Sequence, residues 1–167
     1  EFLDNKLKVI QYALKTEKDT LFLDSDIIIT NYIDDIDHTK TLGVSPGFVK
    51  KEIQDKYGIF NAGFLWTKSD NCIKKWRELN KTSKYFEQYS IQDLYTHYRK
   101  TNEVFIFQDN YNLQSWRFVL NDEPIQKICS YVKPDLEENA VYYKDKPLKC
   151  IHTHFNKPEF KNINYFL

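Results

Sequence analysis

The chain has 167 residues, 41% hydrophobic and 29% charged, which is the size and balance of one globular domain with a single core. Its 24 basic and 24 acidic residues cancel, so it lacks the cationic footprint of a nucleic-acid protein or a polybasic membrane binder. No apolar run approaches the ~20 residues that span a bilayer, no secretory signal opens the chain, and three widely spaced cysteines (Cys72, Cys129, Cys150) argue against a disulfide scaffold or a structural zinc site. That cysteine usage favours a soluble, cytoplasmic domain over a secreted one. The absence of methionine marks a fragment or a processed chain. Aromatic residues reach 16%; coding bias accounts for this first, and stacking surfaces for sugars or bases second.

Leu3, Leu7, Ile10 and Leu14 recur at helical spacing and predict an amphipathic helix over residues 3–18. The apolar run Thr20 to Leu23 then breaks into Asp24-Ser25-Asp26, with Ile27-Ile28-Ile29 directly after. A buried strand ending in carboxylates fits an α/β sheet, where ligand chemistry sits at strand C-termini. The carboxylates are therefore expected at the end of a central strand in a mixed, largely parallel sheet. An acidic loop (Asp34, Asp35, Asp37) leads to a short strand at 41–45 stopped by Pro46-Gly47, a short helix at 48–56 and a turn at Tyr57-Gly58. The next strand covers 59–67 and contains Asn61-Ala62-Gly63. Ser69 is placed to cap a helix that turns Ile73 and Trp76 inward and ends near Asn80. Another helix is expected from Ser90, then a strand at 104–107. Asp122 and Pro124 open a helix with Ile125, Ile128 and Val132 on one face, and late strands are expected at 141–143 and 148–152. No repeat, linker or domain boundary interrupts residues 1–167.

Four constellations can carry chemistry. In extended backbone Asp24 and Asp26 project to the same side. Two such carboxylates form a hard-oxygen site for Mg²⁺ or Mn²⁺, and a cation removes their repulsion; the plainer reading is a polar strand end. His152-Thr153-His154 places two imidazoles on one side of a strand, about 6 to 7 Å apart, so only one can ligate unless the chain bends. Asn61-Ala62-Gly63 puts small residues inside an apolar run, either a β-bulge or a close approach of ligand to backbone. Gln92-Asp93 follows Ser90 in a capping-box pattern, which makes Asp93 a helix-start carboxylate when taken alone.

In order and approximate spacing, LFLDSDIII (21–29), FNAGFLWTKSDNCIKKW (60–76), IQDLY (91–95) and CIHTHFNKP (150–158) resemble the GT-A type nucleotide-sugar-dependent glycosyltransferases. The likeness is to the group with glycogenin-like and galactosyltransferase-like enzymes and the related nucleotide-diphospho-sugar transferases. It runs from residue 7 to about 158. It implies a GT-A-like, Rossmann-type fold that lacks its first βα unit, in a single partial catalytic domain. It implies Mn²⁺ (or Mg²⁺) held by Asp24, Asp26 and His152, with His154 as the alternative ligand. Asp26 would be the main ligand and Asp24 a second contact to metal or ribose. Lys157 would touch the diphosphate, Asn61, Ala62 and Gly63 would line the sugar and acceptor pocket, and Gln92 and Asp93 would sit at the reacting sugar. The partners implied are a nucleotide-diphosphate sugar and a glycan, protein or lipid acceptor. The sequence departs from the pattern at Ile91, where the family carries an acidic residue before Gln-Asp. Two other functions compete. One is a haloacid-dehalogenase-like phosphohydrolase with Asp24 as nucleophile, which lacks a convincing later acidic pair. The other is a binding module with a vestigial metal site.

Overall fold

The structure is a computed structural model and describes residues 2–124 and 126–154. Its elements in chain order are α1 (Phe2–Ala13), β1 (Thr20–Leu23), β2 (Ile27–Ile29), β3 (Leu42–Pro46), α2 (Lys51–Tyr57), β4 (Phe60–Thr67), α3 (Asp70–Asn80), α4 (Phe86–Arg99), β5 (Val104–Ile106), β6 (Leu113–Gln114), α5 (Arg117–Leu120), α6 (Gln126–Tyr131), β7 (Val132–Asp135), β8 (Ala140–Tyr143), β9 (Lys146–Pro147) and β10 (Cys150–His152). The expected α/β class with a mixed sheet flanked by helices is observed. Three sheets form, ordered β1-β4-β3-β5, β2-β10-β6 and β7-β8-β9. Parallel pairing joins only β3 to β5 and β6 to β10, and the other pairs are antiparallel. The expected largely parallel balance is therefore reversed. Short hairpin turns account only for β7-β8-β9; the antiparallel pairs β1–β4, β3–β4 and β2–β10 join segments far apart in the chain, whose pairing no local pattern specifies.

β4 is the spine of the first sheet. All eight of its residues are buried, and β1 and β3 pair with its two sides. β1 lies at the edge of that sheet among the described residues, not at its centre as expected. The helices bury one face each against this layer. Leu7 and Ile10 of α1, Cys72, Ile73 and Trp76 of α3, and Ile91 and Leu94 of α4 join Leu42, Val44, Phe60 and Leu65 in one core. Burial of side chains this size supplies roughly 1.5–3 kcal/mol each.

Several boundaries move for local reasons. α1 ends at Ala13, where Leu14 to Glu17 turn back on it through Thr16 N–H to the Ala13 carbonyl (3.1 Å), so the helix is shorter than its apolar period. Ser69 precedes α3, but its hydroxyl makes no cap bond. α4 begins four residues before Ser90. Ser90 is buried inside the helix, where its hydroxyl donates to the Glu87 carbonyl (2.7 Å) and accepts the Trp76 indole N–H (2.9 Å). A serine satisfied by the carbonyl one turn back tolerates a helix interior, which defeats the capping-box reading. The helix expected after Pro124 is cut to α6, because Val132 starts β7. Ile125 lies outside the described residues.

Burial also silences a thiol. Cys72 is fully buried under α4, and desolvation pushes its thiol up to about 12, with hydrogen bonding to Thr67 and Tyr98 offsetting part of the rise. Only thiolate reacts. Iodoacetamide at about pH 8 should therefore leave Cys72 unmodified in the native protein and label it in denaturing urea. Native labelling seen by peptide mass spectrometry would contradict the α3–α4 packing.

Candidate active site

Asp24-Ser25-Asp26 is the corner at which the chain leaves the first sheet for the second. Asp24 N–H extends the β1–β4 ladder by donating to the Gly63 carbonyl (2.9 Å), and Ile27 N–H closes a turn on the Asp24 carbonyl (3.1 Å). The segment is a β-turn and not extended chain, so the same-side projection expected of Asp24 and Asp26 does not hold. The two carboxylates take different partners.

Asp26 meets the histidines. Its Oδ1 lies 3.0 Å from Nε2 of His152, and its Oδ2 lies 3.2 Å from Nδ1 of His154. One atom from each of Asp26, His152 and His154 falls within 4.8 Å of the others. Both histidines reach the carboxylate because the chain bends between them. β10 ends at His152, and His154 adopts left-handed backbone (φ 51°). Thr153 secures the bend by donating its N–H (3.1 Å) and hydroxyl (2.8 Å) to the Asp26 carbonyl. Trp116 fixes the rings, stacked on His154 (3.7 Å between centroids) and edge-on to His152 (4.7 Å). His152 above all, then His154, holds the Asp26 carboxyl far below the usual range, against the cost of its burial.

This cluster fits a divalent cation. His152 is 1% exposed, and neither ring nitrogen makes a hydrogen bond with acceptable geometry, although Nε2 is 3.0 Å from Asp26. The nitrogen and the oxygen are close without being aligned as donor and acceptor, and with His154 they make three possible ligand atoms within 4.8 Å of one another. Such a spacing allows all three to bind one ion. A carboxylate with two imidazoles suits Mn²⁺ or Zn²⁺ better than a hard-oxygen Mg²⁺ cage.

Asp24 instead receives a lysine that sequence reasoning missed. Lys6 of α1 is 5% exposed, and its Nζ donates to the Ala62 carbonyl (3.1 Å) beside Asp24 Oδ1 (3.2 Å) and Glu87 Oε1 (3.6 Å). It shares the inward face of α1 with Leu7 and Ile10, and a cation among those apolar positions was the available signal. Gly63 completes the junction: a Cβ there would collide with the Asp24 carboxylate and with Cε1 of His152 (2.6 Å).

A cavity of about 380 Å³ opens over this junction, lined among others by Asp24, Asn61, Gly63, Gln88, Trp116 and His152. Ala62 and His154 line it too. Gln92 and Asp93 do not. Gln92 accepts the Ile59 N–H (3.3 Å) and Asp93 is exposed, one turn farther along α4 than the residues facing the cavity. Those residues are Glu87 and Gln88. The acidic residue absent before Gln92 is thus present before Gln88, and that acid–Gln pair was the sequence signal overlooked. Lys157 lies outside the described residues.

No protein-family model matches the sequence, and no curated protein matches it. Among solved structures, the chain is similar to the glycosyltransferase GlyE of Streptococcus pneumoniae TIGR4, with a TM-score of 0.47 and 18% identity over 85% of this chain and 36% of that one. It is also similar to the galactosyltransferase LgtC in complex with donor and acceptor sugar analogs, with a TM-score of 0.48 and 15% identity over 97% of this chain and 63% of that one. An active-site mutant of LgtC gives 0.43 and 16%, covering 96% and 64%. The chain therefore spans less than two thirds of each of these proteins. Among the described residues no helix is long and apolar enough to cross a membrane.

Substitution separates Gly63 from its neighbour in the cavity wall, Gly47. A Cβ at Gly47 meets nothing closer than 3.5 Å. Gly63→Ala should cost about 1–3 kcal/mol by overpacking and weaken Mn²⁺ binding, whereas Gly47→Ala should leave both unchanged. Thermal unfolding and manganese titration read the two effects.

Proposed function

We propose that this chain is a divalent-metal-dependent glycosyltransferase domain that moves a sugar from a nucleotide-diphosphate donor to an acceptor hydroxyl. One observation carries the reading: three segments that resemble the GT-A enzymes, containing Asp24-Ser25-Asp26, Asn61-Ala62-Gly63 and His152-Thr153-His154, come from distant parts of the chain and meet around Gly63, where Asp24, Asn61, Gly63, His152 and His154 line one cavity. A phosphohydrolase needs a free Asp24 nucleophile and a second acidic pair. Asp24 is instead paired with Lys6, and the metal-capable group found among the described residues is Asp26, His152 and His154.

In this reading Asp26, His152 and His154 hold Mn²⁺, with Mg²⁺ as the alternative. The ion would supply positive charge to offset the negative charge that develops on the leaving diphosphate. Asp26 stays the main ligand, and of the two contacts expected of Asp24, to metal or to ribose, the reading keeps the one to the donor. Lys6 adds a fixed cation beside Asp24, held by the Ala62 carbonyl and too buried for its field to be screened as in water. Asn61 and the backbone at Gly63 orient the sugar, and Glu87 and Gln88 take the place at the reacting sugar first assigned to Gln92 and Asp93. Trp116 keeps both imidazoles in place. The acceptor is a glycan, protein or lipid hydroxyl reaching the same cavity.

The test is a panel of nucleotide sugars with Mn²⁺, followed by nucleotide release, with a chelator as control. Turnover that the chelator abolishes supports transfer, binding without turnover supports the binding-module alternative, and no response to any nucleotide sugar ends the proposal. Hydrolysis of p-nitrophenyl phosphate should be nil. By calorimetry, Asp26→Ala should abolish Mn²⁺-dependent binding of a nucleoside diphosphate, a larger effect than the ~10–100-fold typical of losing an outer supporting group. Asp24→Ala should cost less. Unchanged affinity in the Asp26 variant would remove the metal site.

A further inference from the structure

β3 and β4 pair regularly from Leu42 opposite Thr67 to Val44 opposite Leu65, and then the register jumps so that Ser45 faces Asn61. Residues 62–64 of β4 bulge away from β3. They turn toward β1, where Phe64 pairs with Leu23 and the Gly63 carbonyl takes the Asp24 N–H. The bulge leaves Gly63 N–H without a partner on β3, and the side chain of Asn61 supplies one, accepting that N–H at Oδ1 (3.0 Å). The gap between the strands is filled by Asn112, 1% exposed, from the segment that leads into β6. Its Nδ2 donates to Ser45 Oγ (3.0 Å) and to Asn61 Oδ1 (3.3 Å).

The direction of these bonds follows from one group that can only donate. Gly63 N–H is backbone, so the Asn61 atom facing it is the carbonyl oxygen. The Asn112 atom facing that oxygen is then the NH₂. Both lone pairs of Asn61 Oδ1 are taken. What remains is its own NH₂, which no described residue accepts, on a side chain that lines the cavity. Packing alone does not account for Asn112, because its Oδ1 is buried without a partner, a cost that an apolar residue of similar size would avoid.

We infer that Asn112 is a positioning residue: it locks the side-chain amide of Asn61 with its N–H groups toward the cavity, and so selects a ligand whose hydroxyl or carbonyl oxygen accepts hydrogen bonds at the cavity floor. That the ligand is a sugar rests on the glycosyl-transfer reading; the presentation of donors rests on the network alone. Asn112→Asp replaces the donor with an oxygen. Asn61 then flips to give its NH₂ to the new carboxylate, turns its carbonyl to the cavity, and abandons Gly63 N–H.

The test uses the full ¹⁵N-labelled chain, with the two side-chain amides assigned through Asn61→Asp and Asn112→Asp. In the wild type, the Asn112 NH₂ should exchange with water at least about ten-fold more slowly than the Asn61 NH₂. In Mn²⁺-dependent turnover of a nucleotide sugar, Asn112→Asp should lose roughly ten-fold to hundred-fold in kcat/KM, with Mn²⁺ affinity held within about two-fold because Asp26, His152 and His154 are untouched. Ser45→Ala, which removes only the outer partner of Asn112, should fall between. Faster exchange at Asn112 than at Asn61, or wild-type kcat and KM in Asn112→Asp, would overturn the proposal. If the wild type turns over no nucleotide sugar, glycosyl transfer fails as a reading and the exchange pattern alone decides the role of Asn112. If Asn112→Asp does not fold, wild-type exchange and Ser45→Ala decide it.

Discussion

At Gly63 the backbone of β4 passes so close to the Asp24 carboxylate and the His152 ring that the position has no room for a β-carbon. That close approach is made by the bulge in β4, which takes residues 62–64 off β3 and lays them against the end of β1. The rest of the site depends on it. Asp24 is set by its bond to the Gly63 carbonyl, Lys6 is anchored on the neighbouring Ala62 carbonyl, and His152 enters from the second sheet into the space a side chain would have filled.

Several polar side chains join the two sheets around this place, among them Gln114 of β6, whose Nε2 donates to the Pro46 carbonyl of β3 (3.2 Å). The β1–β2 corner carries the chain from one to the other through Asp24-Ser25-Asp26. Thr153 ties the end of β10 back to the Asp26 carbonyl, and Asn112 reaches from the approach to β6 to Ser45 and Asn61. Buried polar groups of this kind are costly unless satisfied. Three of the buried atoms without a partner, both nitrogens of His152 and the Oδ1 of Asn112, belong to this junction. Unpaired groups at a junction of rigid elements are what a ligand site requires, because the ligand then completes bonds the fold leaves open.

Charge is distributed to match. Asp26 is flanked by two imidazoles and held ionised, while Asp24 and Glu87 share the buried Lys6. Of these groups, Asp24, Glu87 and the two imidazoles line the cavity, with Lys6 and Asp26 paired to them.

The sequence by itself determined the element order of most of the chain, the buried β4 strand and three of the segments that meet around Gly63. Apolar periodicity reports burial directly, and DSD, NAG and HTH are local patterns. It also left the meaning of Asn61-Ala62-Gly63 divided between a bulge and a close approach of ligand to backbone; the tertiary structure shows the bulge, and the groups that come close to Gly63 in it are the side chains of Asp24 and His152. Only the tertiary structure decided which carboxylate meets which partner. Asp24 and Asp26 part company because they occupy a turn, and both histidines reach Asp26 because the backbone at His154 is left-handed. Lys6 on the apolar face of α1 and the Glu87-Gln88 pair left only faint signals, and Asn112 and Trp116 left none, since each looks like ordinary helix or loop until distant elements pack. The same holds for Gln92 and Asp93, whose motif is intact but whose place on α4 lies one turn past the cavity. A helix face is chosen by what packs on it, through contacts far apart in sequence, and no local spacing encodes that choice.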